Sequence, residues 1–302
     1  MTLVAGIVCA DGLVLCSDTE LTGNTQKGNR AKIFTIGHCH EDCLIAIGVA
    51  GDYDFGKAAI QYMGPVFGEP EAPSLENMRS ALSDAVTDVY TNHIYPNKLN
   101  QRDIYLMAAM WRQGEGVSLI KTSETALIHV ERYEAIGTGG ELAEYILKRM
   151  YADDMRLDQA VALAIHVLRE VKERGQGVGG ETHISVISND GRLFEVLPEQ
   201  VAEYEASMCG LDTIWQQTFY HCFDLTRSDA QYKKGCEVIG RYLKRLRGPM
   251  VKAEVKRRNG SPTIPFDQDE VVRAEDAPIE EADRPIPQRS KRGRKRQPPS
   301  PE

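Results

Sequence analysis

Two periods of apolar residues alternate along this chain, and their order limits the fold more than any other feature. Strand-like runs come in adjacent pairs joined by short turns, and helix-like runs come in pairs between them. Residues 3–9 and 13–16 flank Asp11-Gly12, a dipeptide suited to a tight hairpin. Residues 32–36 and 43–47 make a second strand pair. A helix is expected from Asp52-Tyr53-Asp54 onward, carrying Ala58, Ala59, Tyr62 and Met63. A second, capped by Ser74, places Leu75, Met78, Leu82, Val86 and Val89 on one face. Strands return at 104–111 and 117–121, with a short one before Gly137-Thr138-Gly139-Gly140. Helices at 141–150 and 158–174 precede a last hairpin, 183–188 and 193–196, which turns at Asn189-Asp190-Gly191. Two further helices are expected at 212–223 and 229–247, the latter capped by Ser228 and stopped by Gly248-Pro249. Helix pairs between antiparallel hairpins imply two sheets packed face to face with helices outside, an α+β layered architecture rather than a doubly wound one.

Beyond Gly248-Pro249 the chain changes character. Residues 262–302 hold eight prolines, and an acidic stretch from Asp267 to Asp283 precedes a basic run from Arg289 to Arg296. Such a segment buries too little apolar surface to offset its ordering entropy. Residues 250–302 are therefore expected to be a disordered tail, and 197–249 a helical extension of a body spanning 1–196. The formal charge is −8, and residues 1–251 alone carry −10. That balance argues against nucleic acid as a partner, and the basic run reads as a solvated tail segment. No apolar run reaches the ~18 residues of a membrane span, and no secretory leader is expected from Met1-Thr2-Leu3-Val4. Seven scattered cysteines point to a reducing, cytoplasmic setting rather than a disulfide framework.

Several segments together resemble the opening of proteasome β-type subunits: Thr2-Leu3-Val4-Ala5-Gly6, Asp11-Gly12, Cys16-Ser17-Asp18-Thr19 and Ala31-Lys32-Ile33. The stretch from Gly23 to Asn29 looks like the bacterial HslV peptidase. Ile47-Gly48-Val49-Ala50-Gly51-Asp52 resembles the family's strand-to-helix turn, and Ala135–Gly140 its second glycine turn. Gly179-Gly180 and the hairpin at Asp190-Gly191 resemble its C-terminal hairpin. The match covers residues 2–196. It implies an N-terminal nucleophile (Ntn) hydrolase, a four-layer αββα sandwich, here with extra C-terminal helices. It further implies a polypeptide substrate, a homo-oligomeric ring and an ATPase unfoldase as partner, and no cofactor. The matching positions are Thr2 as nucleophile once Met1 is removed, Asp18 and Lys32 as its charged pair, and Thr138 where the family has a serine. One departure stands out. Gly175 and Val178 occupy positions where the family has an Asp and a Ser that position the terminal amine.

The residues support that chemistry independently. A threonine hydroxyl needs a base, and an N-terminal amine, titrating near pH 8, serves its own residue directly or through one water. A buried lysine favours the alkoxide and depresses the amine's pKa by like-charge repulsion. A carboxylate such as Asp18 keeps that lysine charged and oriented. The amides of Ala50 and Gly51 are the expected oxyanion donors. Each position also has a bland reading: Thr2 as the start of an edge strand, Asp18–Lys32 as a structural ion pair, and Thr138 as a turn hydroxyl. His38-Cys39-His40-Glu41-Asp42-Cys43 crowds soft ligands on one expected hairpin turn, where close ligands rarely surround one ion, so no metal is expected. Three activities fit: a threonine-type endopeptidase, an amidase or peptide ligase on the same fold, and a catalytically silent ring subunit.

Overall fold

The computed structural model describes residues 2–22, 27–36, 41–69, 71–96, 102–175 and 177–258. The chain divides into two compact units, 1–240 and 241–302. In the first, one five-stranded antiparallel sheet has the order β10-β1-β2-β11-β12. These strands are β1 (Val4–Cys9), β2 (Gly12–Asp18), β10 (Tyr133–Ile136), β11 (Thr182–Ser188) and β12 (Leu193–Glu195). The other has the order β5-β6-β7-β8-β9, built from β5 (Ile33–Ile36), β6 (Cys43–Gly51), β7 (Ile104–Arg112), β8 (Gly116–Ser123) and β9 (Ala126–Val130). A small hairpin, β3 (Glu20–Thr22) with β4 (Lys27–Asn29), leads from β2 toward β5.

Three apolar layers hold the sandwich together. Leu3, Ala5, Ile7, Val14 and Cys16 pack on helices α4 (Gly140–Met150) and α5 (Leu157–Arg174). Ile45, Ile47 and Val49 pack on α1 (Tyr53–Tyr62) and α3 (Leu75–Val89) on the opposite outer face. Val4, Leu13, Leu15, Ala46, Ala50 and Met107 fill the space between the sheets. Both faces of β1, β2 and β6 are thus buried, so these strands read as continuous apolar runs instead of alternating ones. Asp52 caps α1 by accepting from the Phe55 amide, and Ser74 caps α3 through Asn77. A single wide turn, Tyr90–Ile94, closes α3 after the short α2 (Gly64–Phe67).

The layered expectation holds, with differences at particular elements. β9 and the β3–β4 hairpin were not anticipated. β9, Ala126-Leu127-Ile128-His129-Val130, is largely exposed at a sheet edge and was passed over although four of its five residues are apolar, and β3 and β4 have only three residues each. Helix α6 runs Pro198–Phe223 rather than starting at 212. Gly210 disguised its continuity, but Pro198 suits a first helical position, and Val201 and Met208 seat the first half in the core against α5. Helix α7 (Asp229–Arg258) continues through Gly248-Pro249 instead of stopping there. The proline forfeits one backbone hydrogen bond, yet helix formers surround it, so the helix occupies the first residues assigned to the tail. His38, Cys39 and His40 lie outside the described residues, as does the tail from 259. Among the described residues no cluster of three metal-ligating side chains occurs, and no helix is long and apolar enough to cross a membrane.

The sheets approach closely where glycine faces a side chain. A Cβ on Gly48 would sit 2.4 Å from Val4 Cγ1, and one on Gly6 would sit 2.6 Å from Met107 Sδ. Replacing Gly48 by Ala overpacks the inter-sheet layer directly under the start of β1. Denaturant unfolding of Gly48→Ala is expected to show a loss of about 1–3 kcal/mol.

Candidate active site

The end of β2 and the start of β1 meet at one carboxylate. Asp18 and Lys32 are both fully buried, and Lys32 Nζ donates to Asp18 Oδ1 at 2.8 Å. The same oxygen accepts the Leu3 amide at 2.9 Å, and Oδ2 accepts the Gly179 amide at 3.1 Å. A second bond from Lys32 Nζ reaches the Glu20 carbonyl at 2.7 Å. One side chain therefore fixes the lysine, the residue following Thr2, and the glycine turn ahead of β11. Burial drives the Lys32 pKa below its ordinary value, and the Asp18 hydrogen bond with the charges of Asp18 and Glu20 opposes that fall.

Thr2 is buried at the head of β1. Its N–H donates to Thr138 Oγ1 at 3.1 Å, and the Thr138 hydroxyl donates to the Thr2 carbonyl at 3.4 Å. The Gly139 amide reaches the same carbonyl at 3.4 Å. Gly137 has φ +93°, and a Cβ there would lie 2.2 Å from Thr2 O, so only glycine permits this approach. That same Cβ position is 3.4 Å from Ala50 Cβ, which sets the β6 turn across Gly137 from Thr2. At this end of β6, where Ala50 and Gly51 lie opposite Tyr105 and Ile104 of β7, the Val49 amide is committed to Lys32 O and the Asp52 amide to Asp103 O. Between them lie Ala50 and Gly51, the second at φ +85°. The structure thus brings Thr2, Asp18, Lys32, Thr138 and Ala50 together, with Gly51 next in the turn.

Several contributors were not singled out from the sequence. The Glu20 carbonyl and Gly179 amide act through backbone atoms, which carry no residue-type signal. Thr19 Oγ1 accepts the Glu181 amide at 2.8 Å and ties β2 to the same turn. Lys172 on α5 donates to Thr182 Oγ1 at 2.7 Å, and its pKa is lowered by burial against the counter-pull of Glu205 and Asp18. Thr182 pairs with Asp18 across β2 and β11, a register that only the folded chain displays, so no sequence signal marked Lys172. Gly175 caps α5, and a Cβ on it would meet Val171 O at 2.6 Å. Val178 is buried against Gly139, whose Cβ position lies 3.1 Å from Val178 Cγ2. Both departures from the family pattern are therefore filled by packing.

A buried lysine and aspartate at the end of β2, beside a threonine heading β1 of a two-sheet sandwich, agree with a family comparison. The sequence model of the proteasome subunit family matches residues 2–187. This chain belongs to the proteasome subunit family. The proteasome subunit beta of Methanosarcina barkeri is 24% identical over 210 residues, covering 68% of this chain and 95% of that protein. That of Methanopyrus kandleri is 26% identical over 207 residues, 67% and 93% of the two chains. Among solved structures, Anbu (ancestral beta-subunit) from Yersinia bercovieri superimposes with a TM-score of 0.60 at 18% identity, covering 71% of this chain and 96% of that one. The Anbu complex from Pseudomonas aeruginosa, solved as a helical assembly, gives 0.61 at 18% identity, with 71% and 95% coverage. The fold is the four-layer αββα sandwich of the proteasome-like Ntn hydrolases, extended by α6 and α7.

Removing the Asp18 carboxylate would leave a buried, uncompensated ammonium and two amides without an acceptor. Asp18→Ala is expected to lose about 3–5 kcal/mol of stability in denaturant titration, well beyond the cost of an exposed ion pair.

Proposed function

We propose that the chain is a threonine-type endopeptidase whose nucleophile is Thr2, exposed by removal of Met1. The observation that carries this reading is the shared Asp18 oxygen, which holds Lys32 and the Leu3 amide on either side of the same point. The freed amine of Thr2 stands where its N–H now meets Thr138 Oγ1. It takes the hydroxyl proton as Thr2 Oγ1 attacks a peptide carbonyl, directly or through one water. The Lys32 ammonium stabilises the alkoxide, Asp18 keeps that ammonium oriented, and the Ala50–Gly51 turn supplies the oxyanion amides. The protonated amine then returns its proton to the leaving amine, and water hydrolyses the acyl-enzyme by the same route in reverse. An amidase would share both steps and differ in the amide it accepts, whereas a peptide ligase would pass the acyl-enzyme to an amine instead of water.

The protein acts as a homo-oligomer in this reading. The second half of α6 supports it, since Trp215, Phe219, Tyr220 and Phe223 are each more than half exposed on one helix. Monomers rarely leave so large an apolar patch open. Light scattering at micromolar concentration is expected to give a mass several times 33.6 kDa, and a monomer at every concentration would count against it. A silent subunit is the second reading, favoured by Val178, an apolar side chain packed beside the turn that carries Thr138.

Intact mass before and after a threonine-directed epoxyketone separates these readings, because it reports Met1 loss and a reactive Thr2 together. Thr2→Ser is expected to keep measurable turnover, Thr2→Ala to abolish acylation with the fold intact, and Lys32→Ala to lose at least ~10²-fold in rate. A retained Met1 without adduct would leave the silent subunit.

The pH dependence of kcat/KM follows from the direction of the lysine shift. Activity should rise as the amine deprotonates, at or below its ordinary value near 8, because the Lys32 charge disfavours a second cation. It should fall again as Lys32 loses its proton, and burial brings that limb below the ordinary lysine value of 10.5. A descending limb at or above 10.5 would exclude Lys32 as the required cation.

A further inference from the structure

The segment leading into β5 carries an ordered positive charge that the chemistry above does not use. Arg30 precedes Lys32 by two residues, and its amide donates to the Thr19 carbonyl at 2.9 Å. Thr19 follows Asp18, whose own amide bonds the Leu3 carbonyl at 3.3 Å. Arg30 is therefore tethered to the strand end beside the head of β1. Its exposed guanidinium lies over the Tyr53 ring, 5.6 Å from the centroid. Tyr53 opens α1 directly after Gly51-Asp52, next to the proposed oxyanion donors. The ring is itself fixed, by a 3.3 Å bond from its hydroxyl to Ala31 O and by the Phe34 ring at 6.1 Å. Arg30 and Tyr53 thus link the segment that carries Lys32 to the helix start that follows Gly51.

Three charged neighbours among the described residues are already engaged. Lys32 is buried on Asp18. Arg102 sits 3.6 Å from the Asp52 carboxylate and over the Phe55 ring. The Glu20 carboxyl is turned toward Gly179, whose Cβ position lies 2.5 Å from Glu20 Oε2. Among the described residues no carboxylate lies within ion-pair distance of Arg30. A guanidinium already ordered on an aromatic face loses little freedom when it binds, and its planar fork suits a carboxylate. We propose that Arg30 is a specificity determinant that selects an acidic side chain at the residue whose carbonyl Thr2 attacks. This rests on the peptidase reading above and adds the substrate class to it.

Peptide epoxyketones that differ only in carrying Glu, Gln or Lys at the acyl position test it, with Thr2 adduct formation followed by intact mass. Matched fluorogenic peptides give kcat/KM. The wild-type chain is expected to favour Glu over Gln by about tenfold, with the ratio shrinking as salt is raised. Arg30→Gln should bring the ratio near one, Arg30→Glu should move the preference to Lys, and Arg30→Lys should keep part of the Glu preference. A wild-type ratio of one or less, or a ratio unchanged in Arg30→Gln, removes Arg30 from this role while adducts on Thr2 leave the peptidase reading standing. No adduct with any of the reagents and no peptide turnover would overturn both.

Discussion

The arrangement depends on keeping a lysine and an aspartate charged where almost no water reaches. Removing two such groups from water costs several kcal/mol each, and their attraction offsets this only with good geometry and saturated hydrogen bonding. Asp18 meets that condition by accepting from Lys32, Leu3 and Gly179, and Lys32 adds a bond to Glu20 O. Each of these partners belongs to a different segment: the start of β1, the β3 hairpin, the stretch before β5 and the turn before β11. The pair can form only when both sheets and both hairpins are in place. Its cost in stability is spent on position, because it fixes the lysine against the backbone that follows Thr2.

The sandwich supplies that position through residue size as much as through polarity. On the inner face of β6, Ala46, Gly48 and Ala50 follow one another, and Gly48 lies against Val4. Small residues there let the two sheets close around the head of β1. Larger side chains, Ile45, Ile47 and Val49, are turned outward onto α1 and α3. The period-two alternation of this strand is one of size rather than of polarity.

That distinction explains what the sequence made legible. The order of hairpins and helix pairs followed from apolar periodicity and from turn residues such as Asp11-Gly12 and Ser74, and the layers match it. Thr2, Asp18, Lys32 and Thr138 were singled out because their segments resemble proteasome β-type subunits, and the fold brings these four residues together. The Glu20 carbonyl and the Gly179 amide carry no residue-type signal, and they emerge only from the folded backbone. The first half of α6 was hidden because Gly210 interrupts its pattern, although Val201 and Met208 are part of the core. The continuation of α7 past Pro249 was missed because a proline's local penalty was weighed without the favourable residues around it.

The peptide group between Thr2 and Leu3 is gripped from both sides. Its N–H is held by Asp18, and its carbonyl is held by Gly139 and packed by Gly137. None of these contacts involves the residue before Thr2. In the peptidase reading proposed above, losing that residue exchanges an amide for an amine and leaves these three contacts as they are. On that reading the scaffold and the reactive group are made at different times.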